Sequence, residues 1–385
     1  MPIKVVHTAD NHVDLPYLRY PEEAQSRLRA ERMESLRRVV KGANDRRANV
    51  VVVAGDLFDR TEAKASTIKD AVAVLKEFEG QEVLVLPGNH DHCGGSTEGV
   101  WDKFRKHAGE GRILVLDRPE VHAIEIDGDR VEFFPCPCMS KTSSTNAIGW
   151  VGGASRDPSA IHIGIAHGNV EGLGLDEEDH YFNMTTAELE SSGLHVWLLG
   201  HIHQPSPLES GTGRRSFFMA GSSTPESVRR SSEGSAWCIE LDGSGVTRYE
   251  RFQTGAVSFH RMTRDFSHGD AADPISSLER EVCSLRPESS VLDLVLTGEL
   301  GPDGLRSLDA LRAKVAGMPF IHATFNAQVT ERLSQDRIAR LYPEGTAARR
   351  LLSHLLESSH PSDAATALQV IQSLTGMSAN RKGGR

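Results

Sequence analysis

The sequence predicts an α/β fold built on strands buried on both faces, and three observations carry that prediction. Short, continuous apolar runs rich in β-branched residues recur at Ile3–Val6, Val50–Ala54, Val83–Leu86, Ile161–Ala166 and His195–Leu199. Helix-patterned stretches separate the early runs, which is the signature of a largely parallel sheet with helices on its faces. A polar motif of Asp, Asn or His follows directly on every one of the five runs.

Each element follows from its residues. Ile3–Val6 opens the first strand. Pro21–Gly42 is charged, but Leu28, Met33, Leu36 and Val40 fall close to one stripe and predict a helix. Val50–Ala54 is a second strand, Ser66–Phe78 a second helix, and Val83–Leu86 a third strand that Pro87-Gly88 ends. Val131–Phe134 and the stretches Phe217–Ala220, Ala236–Leu241 and Val246–Phe252 have no long helices between them and read as hairpin-type strands. Ser140–Pro158 is rich in Ser, Gly, Thr and Asn and is expected to be a mobile surface loop. Beyond a polar boundary at Thr263–Asp273 the pattern changes. Val291–Thr297 alternates, Leu305, Leu308, Leu311 and Val315 share a helical face, and Ile321–Val329 alternates again, which makes a β-α-β module. From Gln335 the chain reads as helical, with Leu351, Leu352, Leu355 and Leu356 as an apolar edge. Ser378–Arg385 reads as a disordered basic tail.

Composition removes several function classes. A chain of 385 residues holds two or three domains at roughly 100–200 residues each. With 38% hydrophobic and 25% charged residues it is neither disordered nor fibrous. The balance of 43 Lys and Arg against 53 Asp and Glu gives −10, which argues against nucleic-acid binding through a broad basic face. The Arg pairs 37-38, 46-47, 214-215 and 229-230 could track a nucleic-acid strand, but a solvated surface is the commoner role of any such pair. None of the five cysteines (Cys93, Cys136, Cys138, Cys238 and Cys283) forms a C-x-x-C pair, so thiolate zinc sites and dithiol redox chemistry are not expected. An odd count without a leader pattern suits a reducing cytoplasm, and no run reaches the roughly 20 apolar residues of a membrane span.

The chemistry lies in the motifs. Asp10-Asn11-His12, Gly55-Asp56-Leu57-Phe58-Asp59, Gly88-Asn89-His90-Asp91, His167-Gly168 and Gly200-His201-Ile202-His203 each follow a strand. Loops at the carboxyl ends of such strands converge on one rim. Asp10, His12, Asp56, Asn89, His167, His201 and His203 supply seven nitrogen and oxygen donors, too many for one tetrahedral zinc. They suit two metals, about 3.5–4 Å apart, sharing a bridging carboxylate and activating water against a phosphate. Without thiolates the set leans to Mn²⁺, with Fe²⁺ or Zn²⁺ as alternatives. In an extended segment the spacing of Asp10 and His12, and of His201 and His203, lets each pair point the same way. A lone histidine at a strand end is ordinarily a loop or core residue, as expected for His162 and His195. Five motifs in series are not explained that way.

The order D-x-H, GD-x-x-D, GNHD, an isolated His and G-H-x-H resembles the calcineurin-like metallophosphoesterase superfamily over roughly residues 1–260. His7–His12, Gly55–Asp59 and Gly221-Ser222-Ser223-Thr224-Pro225-Glu226 further resemble the SbcD-type DNA repair exonucleases, with Ala9 and Val13-Asp14 similar to the YhaO-like branch. The resemblance implies a four-layer α-β-β-α sandwich over 1–262, a small capping domain over 274–332 and helices over 335–377 that dock a partner, followed by the tail at 378–385. It implies that Asp10, His12, Asp56 and His203 hold one metal. Asp56, Asn89, His167 and His201 would hold the other, with Asp56 bridging. His90 would lie beside the phosphate, stabilise the transition state and protonate the leaving oxygen, with Asp59 as its hydrogen-bond acceptor. Asp59 stands where many repair nucleases carry His, and it also matches the phosphatase pattern. Asp91 is expected to stiffen its turn. Arg229 and Arg230 would contact DNA.

The function implied is a Mn²⁺-dependent DNA nuclease, exo- or endonucleolytic. Its implied partners are DNA, an SbcC-like SMC-type ATPase and a second copy in a homodimer. A phosphomonoesterase or small-molecule phosphodiesterase, and a non-catalytic scaffold of an SMC-like complex, are the alternatives. Two divalent ions would reverse the local charge, so the acidic balance does not exclude DNA.

Overall fold

The computed structural model describes residues 2–94, 99–173, 181–228, 233–267, 274–357 and 361–380. The chain divides into two compact units. The first comprises residues 1–260, 286–292 and 319–322. It runs through β1 (Ile3–Thr8), α1 (Glu22–Asp45), β2 (Val50–Ala54), α2 (Ala65–Lys76), β3 (Glu82–Leu86), α3 (Val100–Ala108), β4 (Ile113–Val115), β5 (His122–Ile126) and β6 (Asp129–Cys136). It continues with β7 (Ile161–His167), α4 (Thr186–Ser191), β8 (Val196–Gly200), β9 (Gly211–Thr212), β10 (Phe217–Met219), β11 (Ser235–Asp242) and β12 (Gly245–Gln253).

Two sheets form the centre of this unit. One has seven strands in the order β4-β3-β2-β1-β11-β12-β9, the other five in the order β10-β8-β7-β6-β5. The strands alternate their side chains between two apolar clusters, as a period of two requires. Val51 and Val53 of β2 join Leu36, Val39 and Val40 of α1 and Ile68, Val72 and Leu75 of α2 in the outer cluster. Val50 and Val52 point the other way, into a cluster shared with Ile161, Ile163 and Ile165 of β7 and Val196 and Leu198 of β8. Trp197 and Leu199 of β8 face a third cluster with Leu189 of α4 and Val151. Helix, sheet, sheet, helix is therefore the layer order of the expected sandwich. Each Val, Leu or Ile buried this way contributes about 1.5–3 kcal/mol.

Several local expectations change. β6 forms an antiparallel hairpin with β5, as expected, but β6, β7 and β8 are mutually parallel and β10 pairs parallel with β8, so Phe217–Met219 is not a hairpin strand. β11 and β12 are antiparallel and do form one. The stretch 140–158 is anchored rather than loose: it contains a 3-10 turn at Gly149–Gly153, and Ile148 and Val151 are buried.

The second unit comprises 261–285, 293–318 and 323–385. β13 (Ser258–Asp265), α5 (Pro274–Ser284), β14 (Ser290–Leu300), α6 (Pro302–Gly317) and β15 (His322–Glu331) include the expected β-α-β module, and the three strands pair in the order β13-β14-β15. α7 (Gln335–Leu341), α8 (Ala347–Leu356) and α9 (Pro361–Asn380) fall in the same unit as this module. They enclose an apolar cluster of Leu333, Ile338, Leu352, Ala364 and Leu368. Leu351 faces outward, 47% exposed, which removes it from the expected apolar edge. α9 extends through Asn380, so residues 378–380 of the expected tail are helical, while 381–385 lie outside the described residues. Among the described residues no helix is long and apolar enough to cross a membrane.

Candidate metal centre

The site lies in the first unit, at the carboxyl ends of five strands. β1 to β3 are parallel and deliver Asp10 with His12, Asp56 and Asn89; β7 and β8 deliver His167, His201 and His203. Three of the five loops turn sharply as they leave their strands. Asp10, His12, Asp56 and His201 have φ of 51°, 41°, 54° and 95°, a left-handed backbone that L-residues seldom adopt. Such residues concentrate at functional sites, where surrounding contacts hold them. Gly55 also has positive φ, and any Cβ there would meet the His167 ring; a Cβ at Gly88 would meet the Asp56 carboxylate.

The seven predicted donors come together. His203 Nε2 lies 3.6 Å from Asp10 Oδ1, and His12 Nε2 lies 3.6 Å from Asp56 Oδ2. His167 Nε2 lies 3.3 Å from Asp56 Oδ2, 4.0 Å from Asp10 Oδ1 and 3.0 Å from Asn89 Oδ1. His201 Nδ1 lies 3.2 Å from the same Asn89 oxygen. Asp10, His12 and His203 form one metal-capable group, and Asp10, Asp56 and His167 another. Asp10, Asp56 and His167 are fully or almost fully buried. Acidic side chains gathered in the interior are costly unless cations or donors face them.

Ring orientation fits ligation. His167 Nδ1 lies 2.8 Å from the Ala54 carbonyl, and a carbonyl can only accept, so Nδ1 carries a proton and Nε2, turned to Asp56 and Asn89, is the nitrogen that would bind a cation. The buried His12 Nδ1 has no hydrogen-bond partner. These all-N/O donors, with ring nitrogens turned towards two carboxylates, fit divalent cations of the Mn²⁺, Fe²⁺ and Zn²⁺ kind.

Electrostatics point the same way. Burial pushes His12 and His201 down to about 3, so both rings are neutral. Burial opposes charge on His167 too, but Asp56 and Asp10 outweigh it and lift the ring to about 9. Burial disfavours the Asp56 anion, yet His167, His12 and His90 hold its carboxyl below the ordinary range. Burial raises Asp10, against the opposing pull of His203 and His167. In the metal-free protein the His167 ring proton therefore lies among the groups that would face a cation.

His90 borders the cluster with its side chain 38% exposed, and its main-chain N–H donates to Asp56 Oδ1 at 2.9 Å. Its Nδ1 lies 3.1 Å from the Asp59 main-chain carbonyl and 3.7 Å from the Asp59 carboxylate. The nearest acceptor is thus the peptide oxygen and not the expected carboxylate, which sits 3.5 Å from His12 Nδ1. Asp91 clamps the turn by accepting from Gly88 N at 2.7 Å and Phe58 N at 3.0 Å, and its own carbonyl accepts from the Trp101 indole. Arg229 and Arg230 lie outside the described residues. In the other Arg pairs, Arg37 meets Glu34 and Glu77, Arg38 meets Glu31, Arg46 meets Glu250, and Arg215 meets the Tyr249 hydroxyl. His162 and His195 are structural, the His162 main-chain N–H donating to His195 Nδ1 at 2.9 Å.

Two participants were not legible as such in the sequence. Glu226 appeared there only as a letter of the Gly221–Glu226 wording, yet its carboxylate lies 2.9 Å from His203 Nδ1. Arg32, fully buried on α1, lies 3.2 Å from the same carboxylate. Only tertiary structure joins positions 194 residues apart.

Comparison with known proteins agrees with this geometry. Residues 3–205 match the calcineurin-like phosphoesterase family. An uncharacterized metallophosphoesterase, YhaO of Bacillus subtilis, is 28% identical over 214 residues, covering 53% of this chain and 50% of that protein. The DNA double-strand break repair protein Mre11 of Methanopyrus kandleri is 27% identical over 270 residues, covering 64% of this chain and 56% of that protein. The chain thus spans about half the length of the curated relatives it matches. The solved structure of TT1561 from Thermus thermophilus aligns with a TM-score of 0.39 at 12% identity, over 66% of this chain and all of that one, a likeness too low to bear on the site.

Proposed function

The chain belongs to the calcineurin-like phosphoesterase family, whose members are dimetal-dependent, and from that premise we propose that it is a Mn²⁺-dependent nuclease that hydrolyses DNA phosphodiester bonds in repair, of the SbcD type. The observation that carries the hydrolytic reading is the convergence of seven nitrogen and oxygen donors from five loops. The nucleic-acid reading rests on the Mre11 relatives, whose names record double-strand break repair.

In this reading Asp10, His12, Asp56 and His203 hold one ion, and Asp56, Asn89, His167 and His201 the other. Bound divalent ions supply a clamp for the phosphate and water of lowered pKa. The protein's own groups do the rest. His90, exposed at the rim, donates to the phosphate oxygens and gives its proton to the departing oxygen. The Asp59 carbonyl holds the opposite ring nitrogen and so aims the donating one. Asp91 keeps the turn carrying Asn89 and His90 in place. The partner in this reading is an SMC-type ATPase, docked by the C-terminal helices, and the assembly is a homodimer.

Purified protein with Mn²⁺ is expected to cut single- or double-stranded DNA in preference to small phosphate monoesters. Turnover of p-nitrophenyl phosphate with DNA left intact would replace the nuclease reading by a phosphatase, the reading that Asp59 favours. Metal binding without hydrolysis of either would leave a scaffold.

A further inference from the structure

Arg32 is the largest cation among the fully buried side chains, and no part of the proposed reaction uses it. A buried guanidinium is costly unless its donors are answered. Three acceptors answer this one. Nε donates to the Tyr17 hydroxyl at 2.8 Å, Nη1 to the Asn11 main-chain carbonyl at 2.7 Å and Nη2 to Glu226 Oε1 at 3.2 Å. Tyr17 itself has a φ of 53°, so the loop following His12 is bent onto this cation. The other oxygen of Glu226 lies 2.9 Å from His203 Nδ1, and His203 Nε2 faces Asp10 at 3.6 Å. A continuous chain therefore runs from helix α1 through one carboxylate to a predicted metal ligand.

We propose that Arg32 and Glu226 are positioning residues that fix the tautomer of His203, presenting its Nε2 lone pair to the metal centre. The argument is one of donors and acceptors. An arginine has only donors and cannot surrender a proton in a protein. A carboxylate has only acceptors. Glu226 is thus the one kind of side chain that can accept from Arg32 on one oxygen and from His203 Nδ1–H on the other. That puts a proton on Nδ1 and makes Nε2, which faces Asp10, the nitrogen that would bind the metal. His167 likewise donates Nδ1–H, in its case to the Ala54 carbonyl. The two rings have Nδ1–H held by different means, peptide oxygen on one side and a buried ion pair on the other. Outer contacts of this type commonly govern metal affinity by 10–100-fold.

A near-isosteric change makes a sharp test. In Glu226→Gln the amide has one acceptor and one donor end. Arg32 claims the acceptor, so the amide NH₂ turns to His203 and requires Nδ1 to accept, moving the ring proton to Nε2. Adding Arg32→Met removes that claim and lets the amide oxygen return to His203. The inference rests on the metal-centre reading above, so Mn²⁺ alone is the probe. Calorimetric titration is expected to show two binding events in the wild type. One of them should weaken 10–100-fold in Glu226→Gln and recover in the Arg32→Met/Glu226→Gln double variant. Long-range ¹H–¹⁵N spectra of the metal-free protein are expected to show His203 protonated at Nδ1 in the wild type and at Nε2 in Glu226→Gln. The wild-type spectrum needs no variant to fold, and a proton on Nε2 there would overturn the proposal. So would Glu226→Gln binding both ions as the wild type does, or a double variant no better than the single one. A wild-type chain that binds no Mn²⁺ overturns this inference and the metal-centre reading together; two ions bound alongside an indifferent Glu226→Gln overturns this one alone.

Discussion

Strands β7 and β8 carry histidines at both ends, and the two ends behave differently. At the amino end, His162 Nε2 faces the Asp157 carbonyl at 2.9 Å and Glu132 at 3.4 Å, while His195 Nδ1 accepts from the His162 main chain. At the carboxyl end, His167, His201 and His203 turn ring nitrogens towards Asp10, Asp56 and Asn89. Burial does not separate the two sets, since His162 is 7% exposed and His167 fully buried. What separates them is whether each ring ends on framework groups alone or keeps a nitrogen aimed at a shared acidic centre.

The largest effect that would sharpen this comparison comes from the centre of the carboxyl end. Asp56→Asn is expected to abolish Mn²⁺-dependent phosphodiester hydrolysis and to lower bound metal, read by activity and elemental analysis. An active, fully loaded Asp56→Asn protein would dissolve the distinction between the two ends. Next, His90→Ala should lower kcat about 10²–10⁴-fold with metal content unchanged, because proton transfer and not ligation is lost. A parallel loss of metal would move His90 into the ligand set.

A smaller effect follows from His167, raised from 6.5 to about 9 in the metal-free protein. A group with a raised folded pKa contributes stability that is fully present below 6.5 and is lost as pH rises through about 9. Melting of the metal-free protein should therefore fall across that window. Mn²⁺ must displace the same proton, so its affinity should rise over the same range. A flat affinity profile would speak against His167 as a ligand. The smallest effect belongs to the amino end: His162→Ala should cost about 1–3 kcal/mol in denaturant unfolding while leaving metal content and turnover unchanged.

The same contrast explains what the sequence could reveal. The β-branched runs at β1, β2, β3, β7 and β8 were legible because strands buried on both faces leave no polar gaps. The donors were legible because each sits within a few residues of such a run. Arg32 was not: α1 also carries Arg27, Arg29, Arg37 and Arg38, and only the fold decides which one meets Glu226. Residues 140–158 read as a loose loop because the short apolar patch at 147–151, whose Ile148 and Val151 anchor them, is flanked by Ser, Thr, Gly and Asn. Phe217–Met219 resembled a hairpin strand because its pairing with β8 depends on a parallel register that no local pattern records. Leu351 lies next to Leu352 in sequence, but adjacent helical positions do not share a face.

The central claim is that the five strand-end loops build one centre for two divalent ions. Equilibrium dialysis of the full chain against Mn²⁺, followed by elemental analysis, tests it most directly. Two ions per wild-type chain, no more than one in His167→Ala and an unchanged two in His162→Ala is the predicted result. One ion or none in the wild type, or equal loss from both variants, would contradict it.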